Sequence, residues 1–206
     1  MESRVKFRSL LALSVALGAV LIDQAIKFSV KLNMYLHESF SVCGDWFYIY
    51  FTENRGMAFG WELGSKLFLT SFRIVAVTFL IYYLFRIVRN KAFPTGYVAT
   101  IALILAGALG NIVDSMFYGE IFTHSVGRVA SLVPFGEGYG EFLHGNVVDM
   151  FYFPLFSFDW PAWMPFVGGE NFVFFSPIFN FADACISCGI VALLLFYRGY
   201  IEKPFK

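Results

Sequence analysis

Four long apolar runs alternate along the chain with two long stretches of mixed character. The runs extend from about Ser9 to Val30, Leu67 to Val88, Tyr97 to Tyr118 and Ile178 to Tyr197. Each is close to the ~20 residues an α-helix needs to cross a hydrocarbon core, so the pattern predicts four transmembrane helices. Arg4, Lys6 and Arg8 ahead of the first run look like the start of a signal peptide. That run is longer than the core of such a peptide, and it reads as an uncleaved first span. The intervening stretches, residues 31–66 and 119–176, follow other patterns. The first contains Trp46-Phe47-Tyr48-Ile49-Tyr50-Phe51, aromatic and β-branched residues that favour a strand, and then a turn through Asn54-Arg55-Gly56. A small sheet at the outer membrane face is expected there. In the second, Pro154, Pro161 and Pro165 interrupt every candidate helix, so this aromatic-rich segment is expected to lie extended along the headgroups. The predicted fold is therefore an all-α membrane protein with four transmembrane helices and a small outer-face β-sheet, one integral membrane domain over residues 1–206.

Charge orients this bundle. Arg4, Lys6, Arg8, Arg86, Arg89, Lys91, Arg198, Lys203 and Lys206 all fall on one side, whereas the second long stretch is acidic, with Arg128 its only basic residue. The positive-inside rule then puts both termini in the cytoplasm and both long stretches outside. Only 15% of the residues are charged and 58% are hydrophobic, well below the ~25% charge usual in soluble domains. A net charge of zero with no basic stripe gives no footprint for nucleic acid. Three cysteines form no disulfide framework, and Cys185 and Cys188 read as small apolar residues of a helix. His37, His124 and His144 lack zinc-ligand spacing, so neither metal nor cofactor is expected, and a monomer is expected.

Against this background the acids in the apolar runs stand out, because a carboxylate at the centre of a span costs roughly 2.5–3.5 kcal/mol. At 1.5 Å per residue, Asp23 lies about 20 Å up the first span and Asp114 about 25 Å up the third; Asp183 is roughly 7 Å below the outer boundary. Independent segments thus bring acids to one outer layer. Asp23 and Lys27, four apart on one helix face, read best as a structural ion pair. Asp114 follows Gly107, Gly110 and Asn111, which allow close helix approach, and suits support as well as catalysis. Asp149 is either a plain loop acid or the partner of Asp183. Spacing alone does not choose the pair.

The motifs resemble those of the bacterial lipoprotein signal peptidase (signal peptidase II) family. Asp23-Gln24-Ala25-Ile26-Lys27 is similar to its first box and Asn54-Arg55-Gly56-Met57-Ala58-Phe59-Gly60 to its second. Gly107 through Asp114 resembles the third, Val147-Val148-Asp149 the fourth and Phe179-Asn180-Phe181-Ala182-Asp183 the fifth. The resemblance implies that Asp149 and Asp183 are a catalytic dyad, supported by Asn54, Gly56, Asn111, Asp114, Asn180 and the Asp23–Lys27 pair. It further implies an aspartic endopeptidase of the bacterial inner membrane. The enzyme would cut signal peptides from prolipoproteins just before a diacylglyceryl-modified cysteine, with membrane lipids as neighbours. Ser115 departs from the pattern, since the family often has Arg there; Arg55, Arg73 and Arg128 are the candidates to supply a guanidinium instead. The stretches flanking Asp149 are also longer than is usual for the family. Two rival readings have their own predictions. A serine–lysine peptidase would rest on Ser65-Lys66. A proton-coupled transporter would spread its acids along a transmembrane route, usually with internal repeats, and no repeat is evident here.

Overall fold

The computed structural model describes residues 2–54 and 66–202, with Lys66 and Leu67 described by their backbone alone. In chain order its elements are α1 (Glu2–Asn33), β1 (Ser39–Cys43), β2 (Phe47–Asn54), α2 (Lys66–Arg89) and α3 (Thr95–Val113). A π-helical turn (Asp114–Tyr118) then leads into α4 (Gly119–Ile121), β3 (Val147–Tyr152), β4 (Phe156–Asp159), β5 (Asn171–Phe174), α5 (Phe181–Phe196) and α6 (Arg198–Ile201). The four apolar runs are helices. Three of them, Glu2–Asn33, Phe68–Arg89 and Thr95–Ile121, are long and apolar enough to cross a membrane. The fourth, α5, is an apolar helix of 16 residues, about 24 Å in length.

The ends of the helices differ from the expected bounds for local reasons. α1 begins well before Ser9 because Arg8 turns inward, donating to Asn90 O at 3.0 Å and Ile87 O at 2.8 Å. These carbonyls lie at the C-terminus of α2, where unpaired acceptors and the helix dipole favour a cation. α5 begins after Ile178 because Phe179 is extended and pairs with Phe151 of β3. Its amide donates to Phe151 O, and its carbonyl accepts from the amides of Met150 and Phe151.

α3 is the central helix, packed on α1, α2 and α5. Gly110 permits the close approach: a Cβ there would stand 2.6 Å from Asp23 Oδ2 and 3.1 Å from the Ala182 side chain. Leu10, Leu13, Leu17 and Leu21 of α1, and Phe68, Phe72, Val75 and Phe79 of α2, are exposed and form faces suited to lipid.

The predicted strand around Trp46–Phe51 is β2, the middle strand of the antiparallel sheet β1-β2-β3. Residues 119–176 supply β3 and the β4–β5 hairpin, strands that the sequence reading did not assign. β3 forms because it finds partners on both sides, β2 and Phe179, and because Val148 and Met150 pack with Val30, Met34, Phe51, Tyr118 and Phe122. The loop before β3 is pressed onto the π-helical turn. Gly145 donates to Ser115 O at 2.9 Å and Leu143 to Met116 O at 3.3 Å. A Cβ on Gly145 would collide with the carbonyl oxygen of Asp114, so only glycine allows this backbone-on-backbone contact.

Candidate active site

At the strand-bearing end of the bundle, four carboxylates from four elements meet. The first pair shares a lysine. Lys27 Nζ lies 2.9 Å from Asp23 Oδ2 and 2.8 Å from Asp114 Oδ2, all three side chains being at most 1% exposed. Lys27 also donates to Asn111 Oδ1 at 2.9 Å. The remaining acceptors are filled: Gln24 Nε2 donates to Asp114 Oδ1 at 2.8 Å, Val148 N to Asp114 Oδ2 at 3.3 Å, and Ala182 N to Asp23 Oδ1 at 2.9 Å. Tyr118 in turn donates to Gln24 Oε1. Buried charges are tolerated when paired and fully hydrogen-bonded, and this cluster meets both conditions. It also pins α1, α3, β3 and the first turn of α5 to one another.

Asp149 and Asp183 are arranged differently. Asp149 is buried in β3, which removes its reading as a loop acid. A one-residue shift in register lies between Ile49 and Thr52 of β2, next to the pairing of Thr52 with Asp149; such bulges re-aim side chains. Asp183 is half-buried in the first turn of α5. Asn180 caps that helix: its Oδ1 accepts from Asp183 N, and Asp183 Oδ2 accepts from Asn180 N, a reciprocal capping box. The same asparagine donates through Nδ2 to Asp149 Oδ1 at 2.6 Å and to Asn111 Oδ1 at 3.1 Å. Asn111 completes the chain by donating to Asp183 Oδ1 at 2.8 Å. Two amides therefore link the two carboxylates. Among the described residues neither acid has a salt bridge, and Asp149 Oδ2 accepts no hydrogen bond. Burial, and then the charge of Asp183, push the Asp149 carboxyl up to about 7, against the bond from Asn180.

Asp23, Lys27, Asn111, Asp114, Asp149, Asn180 and Asp183 thus come together. Asn54 pairs with Val147 in the sheet and shares the face that carries Asp149, two residues along. Gly56, Arg55 and the rest of the second box lie outside the described residues, as do Ser65 and the Lys66 side chain. Of the other arginines, Arg128 is exposed and donates to His124 O. Arg73 points to the acids, donating through Nη1 to Ser115 Oγ at 3.2 Å. No group of three His, Cys, Asp or Glu residues able to hold a metal ion occurs among the described residues.

The sequence reading assigned no role to Gln24 or Tyr118, and it did not anticipate a second buried ion pair, Lys31–Glu53. Lys31 Nζ lies 2.5 Å from Glu53 Oε1 and donates to Ser125 Oγ at 3.0 Å. Phe51, Phe122 and Tyr139 surround its ammonium. The available signal was helical phase: Asp23, Lys27 and Lys31 recur every four residues on an otherwise apolar helix.

Residues 15–198 match the family model described as signal peptidase (SPase) II. The lipoprotein signal peptidase of Porphyromonas gingivalis is 54% identical over 178 residues, covering 86% of this chain and 78% of the relative. That of Amoebophilus asiaticus is 35% identical over 197 residues, covering 93% and 79%. Among solved structures, a bacterial membrane enzyme determined by the in meso method at 1.9 Å aligns with a TM-score of 0.60. It is 23% identical, covers 94% of each chain and bears on the fold. With the family model spanning nearly the whole chain, this protein belongs to the signal peptidase II family of peptidases.

Proposed function

We propose that this chain is an aspartic endopeptidase that removes signal peptides from lipidated prolipoproteins, cutting before the diacylglyceryl-modified cysteine. In this reading α5 is the fourth and shortest span, both termini are cytoplasmic, and the sheet and the acids stand at the outer face of the bacterial inner membrane. The observation that carries it is the contrast between the two pairs of acids. Asp23 and Asp114 share a lysine, whereas among the described residues Asp149 and Asp183 share only the amides of Asn180 and Asn111.

Two neighbouring carboxylates that form no salt bridge among the described residues ionise together only at high cost, so the pair holds one proton between them. The ionised member takes a proton from a water, and the hydroxide equivalent adds to the scissile carbonyl. The protonated member donates to the carbonyl oxygen and afterwards a proton passes to the leaving amine, which breaks the C–N bond. No acyl-enzyme forms. Asn180 and Asn111 hold the carboxylates in register, while the Asp23–Lys27–Asp114 cluster fixes the elements that carry them. A diacylglyceryl cysteine keeps its chains in the bilayer at about 0.8 kcal/mol per methylene and so presents its peptide bond at headgroup depth.

The test is incubation of purified protein with a lipidated prolipoprotein peptide, followed by mass spectrometry. Wild-type protein is expected to release the signal peptide immediately before the lipidated cysteine. Asp149→Asn and Asp183→Asn are each expected to reduce turnover by about 100-fold or more while remaining folded. Normal processing by either variant removes that residue from the dyad.

A further inference from the structure

Among the described residues, α2 carries one charge on its packed face. Thr70, Val77, Ile87 and Val88 are buried there, and Thr70 donates to Leu143 O at 3.3 Å. Arg73, one turn from Thr70, shares this face and is half-buried. It sits about 10 Å along the helix from Lys66, where a cation facing lipid would turn its head back to the interface. It does not do so. Its guanidinium crosses to the π-helical turn and meets Ser115 Oγ, and the charges it feels are, in order, Asp183, Asp114 and Asp149.

Arg73 keeps spare hydrogen-bond donors on the side of the acids. Asp114 is already paired with Lys27, and among the described residues Arg73 makes no salt bridge. Ser115 is neutral and takes one hydrogen bond of the five a guanidinium can donate; its own proton goes to Asn111 O at 2.9 Å. Ser115 thus orients the fork without discharging it. An inward-facing ionisable residue inside a membrane bundle marks a functional contact, and a planar fork with spare donors suits oxygen acceptors such as peptide carbonyls.

We propose that Arg73 is a substrate-binding residue: anchored on Ser115, it donates to main-chain carbonyl oxygens of the peptide lying across Asp149 and Asp183. The proposal rests on the peptidase reading above. It assigns the contact to α2, so the substrate is gripped between α2 on one side and β3 with α5 on the other.

Steady-state cleavage of a lipidated prolipoprotein peptide separates the possibilities. Absence of cleavage by wild-type protein would remove the peptidase reading itself, and this assignment with it. Given wild-type cleavage, Arg73→Gln is expected to raise KM about ten- to a hundredfold, as for loss of a charge-assisted hydrogen bond, with the pH profile of kcat retained. Arg73→Lys is expected to recover only part of the loss, since an ammonium lacks the fork. Because Arg73 and Ser115 are hydrogen-bond partners, the exchange variant Arg73→Ser/Ser115→Arg brings a guanidinium to the same place from the π-helical turn. It is expected to lower KM relative to Arg73→Ser alone, a recovery that a purely structural role would not give. Unchanged KM in a folded Arg73→Gln protein overturns the proposal, as does a loss confined to kcat with a displaced pH profile, the signature of a counter-charge to the dyad.

Discussion

Asp149 is the side chain on which both the proposed chemistry and stability turn. Its carboxyl, pushed up to about 7 by burial and then by Asp183, stands above the ~3.9 of an unfolded aspartate. A raised acid is held best in its protonated form, so its contribution to stability is complete below about pH 4 and is lost as pH rises through about 7. Thermal unfolding in detergent is therefore expected to show the wild type losing stability between those limits, with a shallower slope for Asp149→Asn. The same titration bears on turnover. The dyad needs its shared proton, so kcat/KM is expected to fall as pH rises past about 7, measured as a profile from about pH 5 to 9. At this scale the acids themselves were legible, because carboxylates in apolar runs are costly and each announces a partner. Their pairing was not. Depth along a helix brought Asp23, Asp114 and Asp183 to one layer but carried no azimuth, so it could not say that Lys27 would take two of them. Arg73 stayed one of three arginine candidates for the same reason: only its approach to Ser115 distinguishes it from Arg128, which is exposed.

Among the elements, the helices were the readable part, since an apolar run of span length has few alternatives. β3 was not readable. Val147-Val148-Asp149-Met150-Phe151-Tyr152 becomes a strand by pairing with β2 and Phe179 and by covering Phe51 and Phe122, contacts distant in sequence. How tightly these elements are locked together can be tested in two places. Lys27→Met leaves Asp23 and Asp114 buried without their cation and is expected to destabilise the fold by about 3–5 kcal/mol, measured by denaturation in detergent. Gly145→Val is expected to act on β3 alone. Its side chain would have to displace the carbonyl of Asp114, moving Asp149 away from Asn180. The expected result is loss of cleavage with helical circular dichroism preserved. Full activity in that variant would mean that the loop before β3 is free to move without disturbing the site.

For the molecule as a whole, the two ends of the bundle differ in what they carry. The sheet, the π-helical turn and all four carboxylates gather at one end, while Arg8 and Arg86 mark the other, where Arg8 closes the C-terminus of α2. Charge asymmetry predicts that polarity from the sequence alone, because it depends on counts of Lys and Arg and not on packing. Span number is harder to read: α5 has 16 residues and needs thin or locally adapted lipid to cross, a modest cost for a helix anchored at its first turn by Asn180 and Asp23. Native thiols supply the test. Cys43 is exposed at the end of β1, Cys185 is buried, and Cys188 lies on the apolar helix α5. A membrane-impermeant maleimide added to intact spheroplasts is expected to label Cys43 and to spare the other two, since a thiol in lipid is neither hydrated nor ionised. In a Cys43→Ser background, Ala92→Cys, on the exposed connection between α2 and α3, is expected to react only after permeabilisation. The reverse pattern would put the carboxylates at the cytoplasmic face, where a substrate lipidated on the outer leaflet could not reach them.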